Sequence, residues 1–279
     1  LESRIPERAP NIGETLFEVK NWVVQHPQVT DRLVVKNSSF HVRRGEIVGF
    51  AGLMGAGRTE LAMSVFGRSY GNFISGEIYK DGEQIEVRNV SEAIDNGMAY
   101  VSEDRKVLGL NLLDDIKESI VSAKLKKISR LNVVDDQKEF AIAEEYRKSL
   151  RIKTPDVERG VSTLSGGNQQ KVVLAKWMFT DPDLLILDEP TRGIDVGAKF
   201  DIYNLLGELT RQGKALVVVS SDLRELMLIC DRIGVLSAGS LIDTFDRDSW
   251  TQDELLAAAF AGYQKRDAQL NEAAPRDLP

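Results

Sequence analysis

The amino-acid sequence predicts an α/β domain with a mostly parallel core sheet. Three short apolar runs, at residues 46–51, 184–187 and 215–220, are typical of buried parallel strands. Each run is followed by a turn or an acidic residue and then by a helical pattern, as at 196–209 and 223–230. Strands that alternate with helices in this way indicate the α/β class.

Other segments predict what surrounds this sheet. Apolar and polar residues alternate at 16–24, 77–80 and 85–87, which predicts antiparallel strands. Residues 112–177 are rich in Lys, Glu and Leu and carry few strand signals. We therefore expect a helical insertion in the middle of the chain.

Composition limits the class of protein. The 279 residues allow one large domain or two small ones, and 42% apolar with 28% charged residues excludes disorder, collagen and coiled coil for most of the chain. Lys and Arg number 36 against 43 Asp and Glu, a net charge of −7, which argues against a nucleic-acid partner. Cys230, a single cysteine, fits a reducing compartment.

The same inspection predicts a cytoplasmic location. No apolar run approaches the ~18–20 residues of a membrane span, and no charged-then-apolar leader opens the sequence. Residues 1–14 are expected to be a linker or tail, and residues 263–279 a flexible C-terminal tail.

A glycine-rich loop after the first apolar run predicts a phosphate-binding site. Its glycines let backbone N–H groups converge on phosphate oxygens, and the following helix adds the positive end of its dipole. The Thr59 hydroxyl is placed to contact Mg²⁺. Taken alone, the pattern fits a plain strand-to-helix turn equally well. The candidate nucleotide-binding residues are Gly52, Gly55, Ala56, Gly57, Arg58, Thr59 and Glu60.

Two residues of this loop depart from the usual pattern. Arg58 stands where a lysine is expected, and its planar guanidinium is bulkier than an ammonium group. Glu60 follows Thr59, where it either stabilises the helix N-terminus or repels a nucleotide if it points inward. The loop is therefore predicted to bind phosphates with reduced capacity for hydrolysis.

Two acidic residues follow the run at 184–187. Acidic groups at the carboxyl end of a buried parallel strand lie where α/β sheets bind ligands. Asp188 is expected to hold magnesium through water, and Glu189 to polarise the attacking water. The alternative is an acidic turn that caps a helix.

A third motif, LSGGNQQK, contains Ser165, Gly166, Gly167 and Asn168. A serine and two glycines at a helix start form a nest of hydroxyl and N–H donors for an anion, or else an ordinary helix cap. Combined with the phosphate loop upstream and Asp188 and Glu189 downstream, the motif resembles the signature of ABC-type ATPases.

The likeness extends to a particular family. The segments GLMGAGRTEL, EDRK at 103–106, LSGGNQQK and DEPTRGIDVGAK resemble the second nucleotide-binding domain of bacterial monosaccharide-import ATPases, of the multiple-sugar, ribose and galactose type. The resemblance covers about residues 15–262. It implies a P-loop NTPase domain with an antiparallel β subdomain and a helical subdomain at about 105–177.

The resemblance also implies ATP and Mg²⁺ as cofactors and ATP-driven import of a monosaccharide. The implied partners are a paired nucleotide-binding domain fused as an N-terminal half, membrane permease subunits and, indirectly, a periplasmic sugar-binding protein. The domain would then lie on the cytoplasmic face of the inner membrane. Two alternatives stay open: a soluble ABC ATPase unconnected with transport, and a regulatory domain that binds nucleotide without hydrolysis.

The resemblance assigns roles to further positions. Glu103 takes the place of the family's usual glutamine near the metal, and Ser221 takes the place of the catalytic switch histidine. The signature is expected to contact the γ-phosphate of ATP held by the paired domain. Asp195 matches the loop that communicates between paired domains, or it is a plain N-cap.

Three other side chains are of residue types that often have a functional role. His26 and His41 both precede the phosphate loop, so neither replaces the missing switch histidine. Trp22 is a candidate for stacking on adenine, but a core tryptophan is the favoured interpretation.

Overall fold

The structure, a computed structural model, describes residues 10–273, with residues 266–273 described by their backbone alone. The strands are β1 Thr15–Gln25, β2 Leu33–Arg43, β3 Ile47–Gly52, β4 Asn72–Lys80, β5 Glu83–Ile85, β6 Met98–Val101, β7 Ser129–Arg130, β8 Val133–Val134, β9 Leu184–Asp188, β10 Ala215–Val219, β11 Arg232–Ser237 and β12 Ser240–Asp246. The α-helices are α1 Arg58–Val65, α2 Val90–Asp95, α3 Ile116–Val121, α4 Asp136–Ser149, α5 Gly166–Phe179, α6 Val196–Arg211, α7 Leu223–Ile229 and α8 Gln252–Ala273.

The core of the domain is a sheet with the strand order β12-β11-β3-β10-β9-β6. All neighbouring pairs are parallel except β11 and β12, which confirms the predicted α/β class with a mostly parallel sheet. The three apolar runs become β3, β9 and β10, in the middle of this sheet. Every residue of β9 and β10 is buried, which explains why their sequences do not alternate.

A second sheet, with the order β2-β1-β4-β5, is antiparallel. The alternation at 16–24 and 77–80 is confirmed as β1 and β4, whereas the strand expected at 85–87 lies at Glu83–Ile85. Sequence reasoning missed β2 because Asn37, at φ 51°, and the polar residues after it interrupt its alternation. One of them, Ser38, is nevertheless buried, and its hydroxyl accepts a hydrogen bond from the N–H of Leu241.

The middle of the chain is largely helical, as predicted. It contains α3, α4 and α5, and Lys117 of α3 pairs with Asp136 and Glu139 of α4 at 2.8 and 3.3 Å. The small hairpin β7-β8 was not expected. Leu131 and Asn132 connect its strands at φ 52° and 65°, values typical of a tight hairpin turn, and leucine is a weak signal for such a turn.

The C-terminal segment differs from its prediction. Residues 263–279 were expected to form a flexible tail, but α8 continues through Ala273, because the segment is rich in helix-forming Ala, Gln and Lys. Residues 274–279, and residues 1–9 of the predicted N-terminal linker, lie outside the described residues. Within residues 10–273, none of the helices has the length and apolar character needed to cross a membrane.

Candidate nucleotide-binding site

The glycine-rich loop connects β3 to α1 and lies at the carboxyl end of the central sheet. Gly55 and Gly57 have φ values of 76° and 97°, a region that glycine adopts without strain. A Cβ atom on Gly57 would lie 2.9 Å from the carbonyl oxygen of Val34. Since α1 begins directly at Arg58, the loop and the positive end of the helix dipole meet here, as phosphate binding requires.

Arg58 points to the end of β10. Its Nη1 donates a hydrogen bond to the carbonyl oxygen of Ser220 at 2.6 Å. The guanidinium therefore connects the phosphate loop to the segment after β10, a contact between residues 162 positions apart in the chain. Sequence reasoning assigned Arg58 to phosphates and had no signal for this partner.

Asp188 ends β9 and is 1% exposed. Burial raises the pKa of its carboxyl group, although hydroxyls of Tyr100 and Thr59 and the charge of Arg58 oppose the rise. The Tyr100 hydroxyl donates to Oδ2 at 2.8 Å. Oδ1 is also buried and has no hydrogen-bond partner among the residues that the structure describes.

These groups fit a magnesium ion. A buried carboxylate oxygen without a hydrogen bond, next to the Thr59 hydroxyl, offers the hard oxygen ligands that Mg²⁺ prefers. Mg²⁺ usually takes one or two protein ligands together with phosphate oxygens and water. In keeping with this, no three Asp, Glu, His or Cys side chains within residues 10–265 converge as a metal-binding cluster.

Glu189 has an unusual backbone conformation. Its φ of 48° is rare for a residue with a side chain and is typical of strained functional positions. Two hydrogen bonds hold it: its N–H donates to the carbonyl of Val219 at 2.8 Å, and its Oε1 accepts from the N–H of Ser221 at 2.6 Å. The predicted water-orienting carboxylate is therefore anchored to the end of β10.

Ser221 contacts Glu189 through its backbone, so this contact does not use the hydroxyl that the resemblance places at the switch position. The neighbouring Ser220 Oγ donates to buried Glu225 at 2.6 Å. Tyr203 donates to the same carboxylate at 2.9 Å, and Thr191 is a third hydroxyl donor. Sequence reasoning missed Glu225, because an acidic residue in the first turn of a helix is ordinary.

Glu103, predicted from the resemblance to lie at the metal, has protein partners in the structure. Its carboxylate forms an ion pair with Arg192, and Arg105 donates to the Arg192 carbonyl at 3.1 Å. Its role as a metal ligand stays a prediction.

The signature residues begin α5. Ser165 is the N-cap, and its hydroxyl accepts from the Asn168 backbone N–H at 3.4 Å and from Nδ2 at 2.9 Å. Ser165 is exposed and Gly166 is partly exposed, whereas a Cβ atom on Gly167 would lie 2.6 Å from the Cβ of Ala198. Asn168 Oδ1 also accepts from the N–H of Lys153 at 2.9 Å.

The signature and the phosphate loop line different cavities. Ser165, Gly167 and Asn168 line a cavity of about 330 Å³ together with residues of α6 and its N-cap. Gly55, Gly57 and Glu60 line another of about 360 Å³, next to the connection between β1 and β2. The structure therefore does not bring the two motifs around one ligand.

The remaining candidates have structural roles. Trp22 is 2% exposed and donates to Ser64 at 3.0 Å, which confirms it as a core residue. His26 accepts two local backbone hydrogen bonds, and burial lowers the pKa of partly buried His41. Asp195 is the N-cap of α6, bonded to the Ala198 N–H at 3.0 Å, and it also lines the signature cavity.

Comparisons with known proteins identify the family of the chain. Residues 35–192, more than half of the chain, match the ABC transporter family. The L-arabinose transport ATP-binding protein AraG of Geobacillus stearothermophilus is 55% identical over 256 residues, or 92% of this chain and 50% of that protein. The xylose import ATP-binding protein XylG of Thermoanaerobacter pseudethanolicus is 46% identical over 262 residues, or 94% of this chain and 52% of that protein. The chain spans about half the length of the curated relatives it matches.

Solved structures share the fold. The dimeric post-hydrolysis ATP-binding cassette MJ0796, bound to ADP and Pi, is similar with a TM-score of 0.70 at 21% identity, over 84% of this chain and 100% of that one. A nucleotide-free cassette from an ABC transporter is similar with a TM-score of 0.72 at 17% identity, over 88% and 95%. Their fold has the same mixed sheet, antiparallel β subdomain and helices. The chain therefore belongs to the ABC transporter family and has the fold of its ATP-binding domains.

Proposed function

We propose that this chain is the second nucleotide-binding domain of an ATP-driven monosaccharide importer. Its similarity to relatives named for the transport of arabinose and xylose and the import of ribose supports this class of substrate. Those relatives are about twice as long as the matched region, in keeping with a paired domain fused in the same protein. In this proposal the domain works on the cytoplasmic face of the inner membrane, bound to permease subunits that receive sugar from a periplasmic binding protein.

The separate cavities of the phosphate loop and the signature are the observation that supports pairing with a second nucleotide-binding domain. Since Ser165 and Gly166 are accessible at the start of α5 and face no phosphate loop of their own, their donors need an anion presented by another domain. The ligand that fits is the γ-phosphate of ATP bound to the paired domain. The signature of this chain thereby completes the hydrolytic site of its partner.

In its own site, Asp188 and Thr59 would hold Mg²⁺, which neutralises charge on the phosphates when it is bound. Glu189 accepts a proton from, and orients, the attacking water. Two features make this site a weak one. Arg58 is hydrogen-bonded to the Ser220 carbonyl, and Ser221 has a short, neutral hydroxyl side chain where the family has a histidine, which is longer and can carry a positive charge. These two features also favour the alternative of a regulatory domain that binds nucleotide without hydrolysing it.

A groove next to Glu103 is the proposed contact with the permease. It has a volume of about 520 Å³ and is lined by residues 106–114 together with Ser119, Ser122 and Lys176. Val107, Leu108 and Leu113 are 74%, 63% and 93% exposed. Large apolar side chains exposed together in this way are typical of a surface that binds another protein. A short amphipathic segment of a permease subunit would cover them.

The test compares two arginine substitutions. Ser165→Arg is expected to abolish ATPase activity in the two-domain protein, because a long cation fills the nest where the partner's nucleotide enters. Nucleotide binding by the 279-residue chain should stay within about twofold, well under the ~1.4 kcal/mol of a tenfold change. Ser162→Arg, at an exposed position three residues earlier, is the control and should leave both unchanged.

Phosphate release and titration with a fluorescent ATP analogue measure the two quantities. If Ser165→Arg removed nucleotide binding from the correctly folded single chain, the signature would belong to its own site. If it left the two-domain ATPase intact, the signature would have no part in hydrolysis.

A further inference from the structure

The cavity beside the phosphate loop has the size of a small-molecule site. Its volume of about 360 Å³ is within the usual range for bound ligands. Gly55, Gly57 and Glu60 form one side, and the segment 31–36 and the turn at 238–239 form the others. If the phosphates of a nucleotide lie on the loop, this cavity is where the sugar and the base extend.

Tyr263 of α8 reaches this cavity from the far end of the chain. The helix is fixed to the end of β11 by Ser237, whose hydroxyl donates to the Ala259 carbonyl at 2.6 Å and accepts from the Gly262 N–H at 3.0 Å. A Cβ atom on Gly262 would lie 2.8 Å from the Ser237 carbonyl oxygen, so glycine permits this close approach. Tyr263 comes directly after Gly262, so this contact fixes the backbone from which its ring extends to the cavity.

The same region is tied to the phosphate loop. The Gly239 N–H donates to the carbonyl of Ala56 in the loop at 2.9 Å, and the Gly239 carbonyl accepts from the Lys36 N–H at 2.7 Å. Hydrogen bonds therefore run from α8 through β11 and its turn to the phosphate loop. These contacts fix the backbone of α8 at Gly262, next to Tyr263, relative to the phosphate loop.

We propose that Tyr263 contacts the purine base of the bound nucleotide. Of the described residues that line the cavity, Tyr263 is the only aromatic one, and the others are glycine, aliphatic or charged. Replacing an aromatic ring that stacks on a base by alanine weakens binding by about 5- to 150-fold. Trp22, the aromatic candidate upstream of the loop, is buried in the core and cannot serve. The proposal rests on the proposed nucleotide binding at this site.

The experiment separates the base from the phosphates. MgATP and magnesium tripolyphosphate, which has no base, are each titrated calorimetrically into the 279-residue chain and its variants. Tyr263→Ala is expected to weaken MgATP binding about tenfold and to leave tripolyphosphate binding within about twofold. Tyr263→Phe, which keeps the ring, should bind MgATP within about twofold of the wild type.

Phe260→Ala is the matched control, because Phe260 is an exposed ring on the same helix that does not line the cavity. It should bind both ligands as the wild type does, and equal melting temperatures establish that each variant is folded. Unchanged MgATP binding by Tyr263→Ala, or equal loss of both ligands, would overturn the proposal for Tyr263 alone. A wild-type chain that binds neither ligand would overturn the proposed nucleotide site as well.

Discussion

Substitution of Glu46, which directly precedes β3, tests which contacts hold this strand in place before the phosphate loop. Its buried carboxylate accepts hydrogen bonds from Arg232 at the start of β11, at 2.5 and 3.0 Å, and from the side chain and N–H of Arg43, both at 2.8 Å. Burial alone would raise the pKa of Glu46, but the two arginines lower it from 4.5 to about 2. At 1.36 kcal/mol per pKa unit, this difference corresponds to about 3 kcal/mol of folding free energy.

The sign of the pH effect follows from the lowered pKa. Above pH 4.5 the carboxylate is ionised in both states and its full contribution to stability is present. As the pH falls from 4.5 to about 2, the unfolded state takes up the proton first and the contribution is lost. Glu46→Gln should therefore lower the free energy of unfolding at pH 7 by about 3 kcal/mol, and the deficit should shrink through that pH interval.

Urea unfolding followed by circular dichroism, at pH 7 and at steps below 4.5, measures both quantities. Glu83→Gln is the control, since Glu83 is an exposed glutamate on β5 and should change stability by less than about 0.5 kcal/mol. A Glu46→Gln variant with the same stability deficit at every pH, or with none, would refute the reasoning.

Three further outcomes are expected. Glu189→Gln keeps the side-chain shape but loses the charge that orients water, so it should stabilise an ATP-bound pair of domains. Size-exclusion chromatography of the two-domain protein should then show an ATP-dependent shift, and an unchanged profile would contradict this. Arg58→Lys should change ATP affinity by no more than about tenfold in fluorescence titration, and turnover by the single chain should lie far below ~10 s⁻¹. Glu225→Ala leaves three buried hydroxyls without their acceptor and should cost about 2 kcal/mol in urea unfolding; an unchanged midpoint would count against this hydrogen-bond cluster.

Among the buried strands, those with long apolar runs were predictable from sequence. β3, β9 and β10 lie in the middle of the sheet, so their sequences are continuous apolar runs that can be recognised without the structure. β6 and β11 are also buried throughout, but β6 has only four residues, and β11 begins with Arg232 and contains Gly234, so neither was predicted. β12 is an edge strand whose residues are all exposed or partly exposed, and β2 carries polar residues at its centre. Neither sequence shows a clean alternation of apolar and polar residues, so both strands were missed.

Some residues of the candidate site were also predictable from sequence, and others were not. Asp188 and Glu189 were predicted from sequence because a buried strand followed by acidic residues is a local pattern. The partner of Asp188, Tyr100, lies 88 residues away in β6, and nothing near either residue indicates the pairing. Tyr263 was missed because the composition of its segment indicated a tail, whereas its location depends on how Gly262 meets Ser237.

The segment after β10 connects the parts of the site that sequence motifs treat as separate. The Ser220 carbonyl accepts from Arg58 of the phosphate loop, the Ser220 hydroxyl donates to Glu225, and the Ser221 N–H donates to Glu189. If the Arg58 side chain binds phosphates instead, the Ser220 carbonyl loses its hydrogen bond from a charged donor, which contributes about 1.5–3 kcal/mol. The adjoining peptide also holds Glu189 in its strained conformation, at φ 48°. We therefore expect the state of the phosphate loop to affect the orientation of the Glu189 carboxylate through two consecutive residues, Ser220 and Ser221, with Arg58 as the side chain that connects them to the loop.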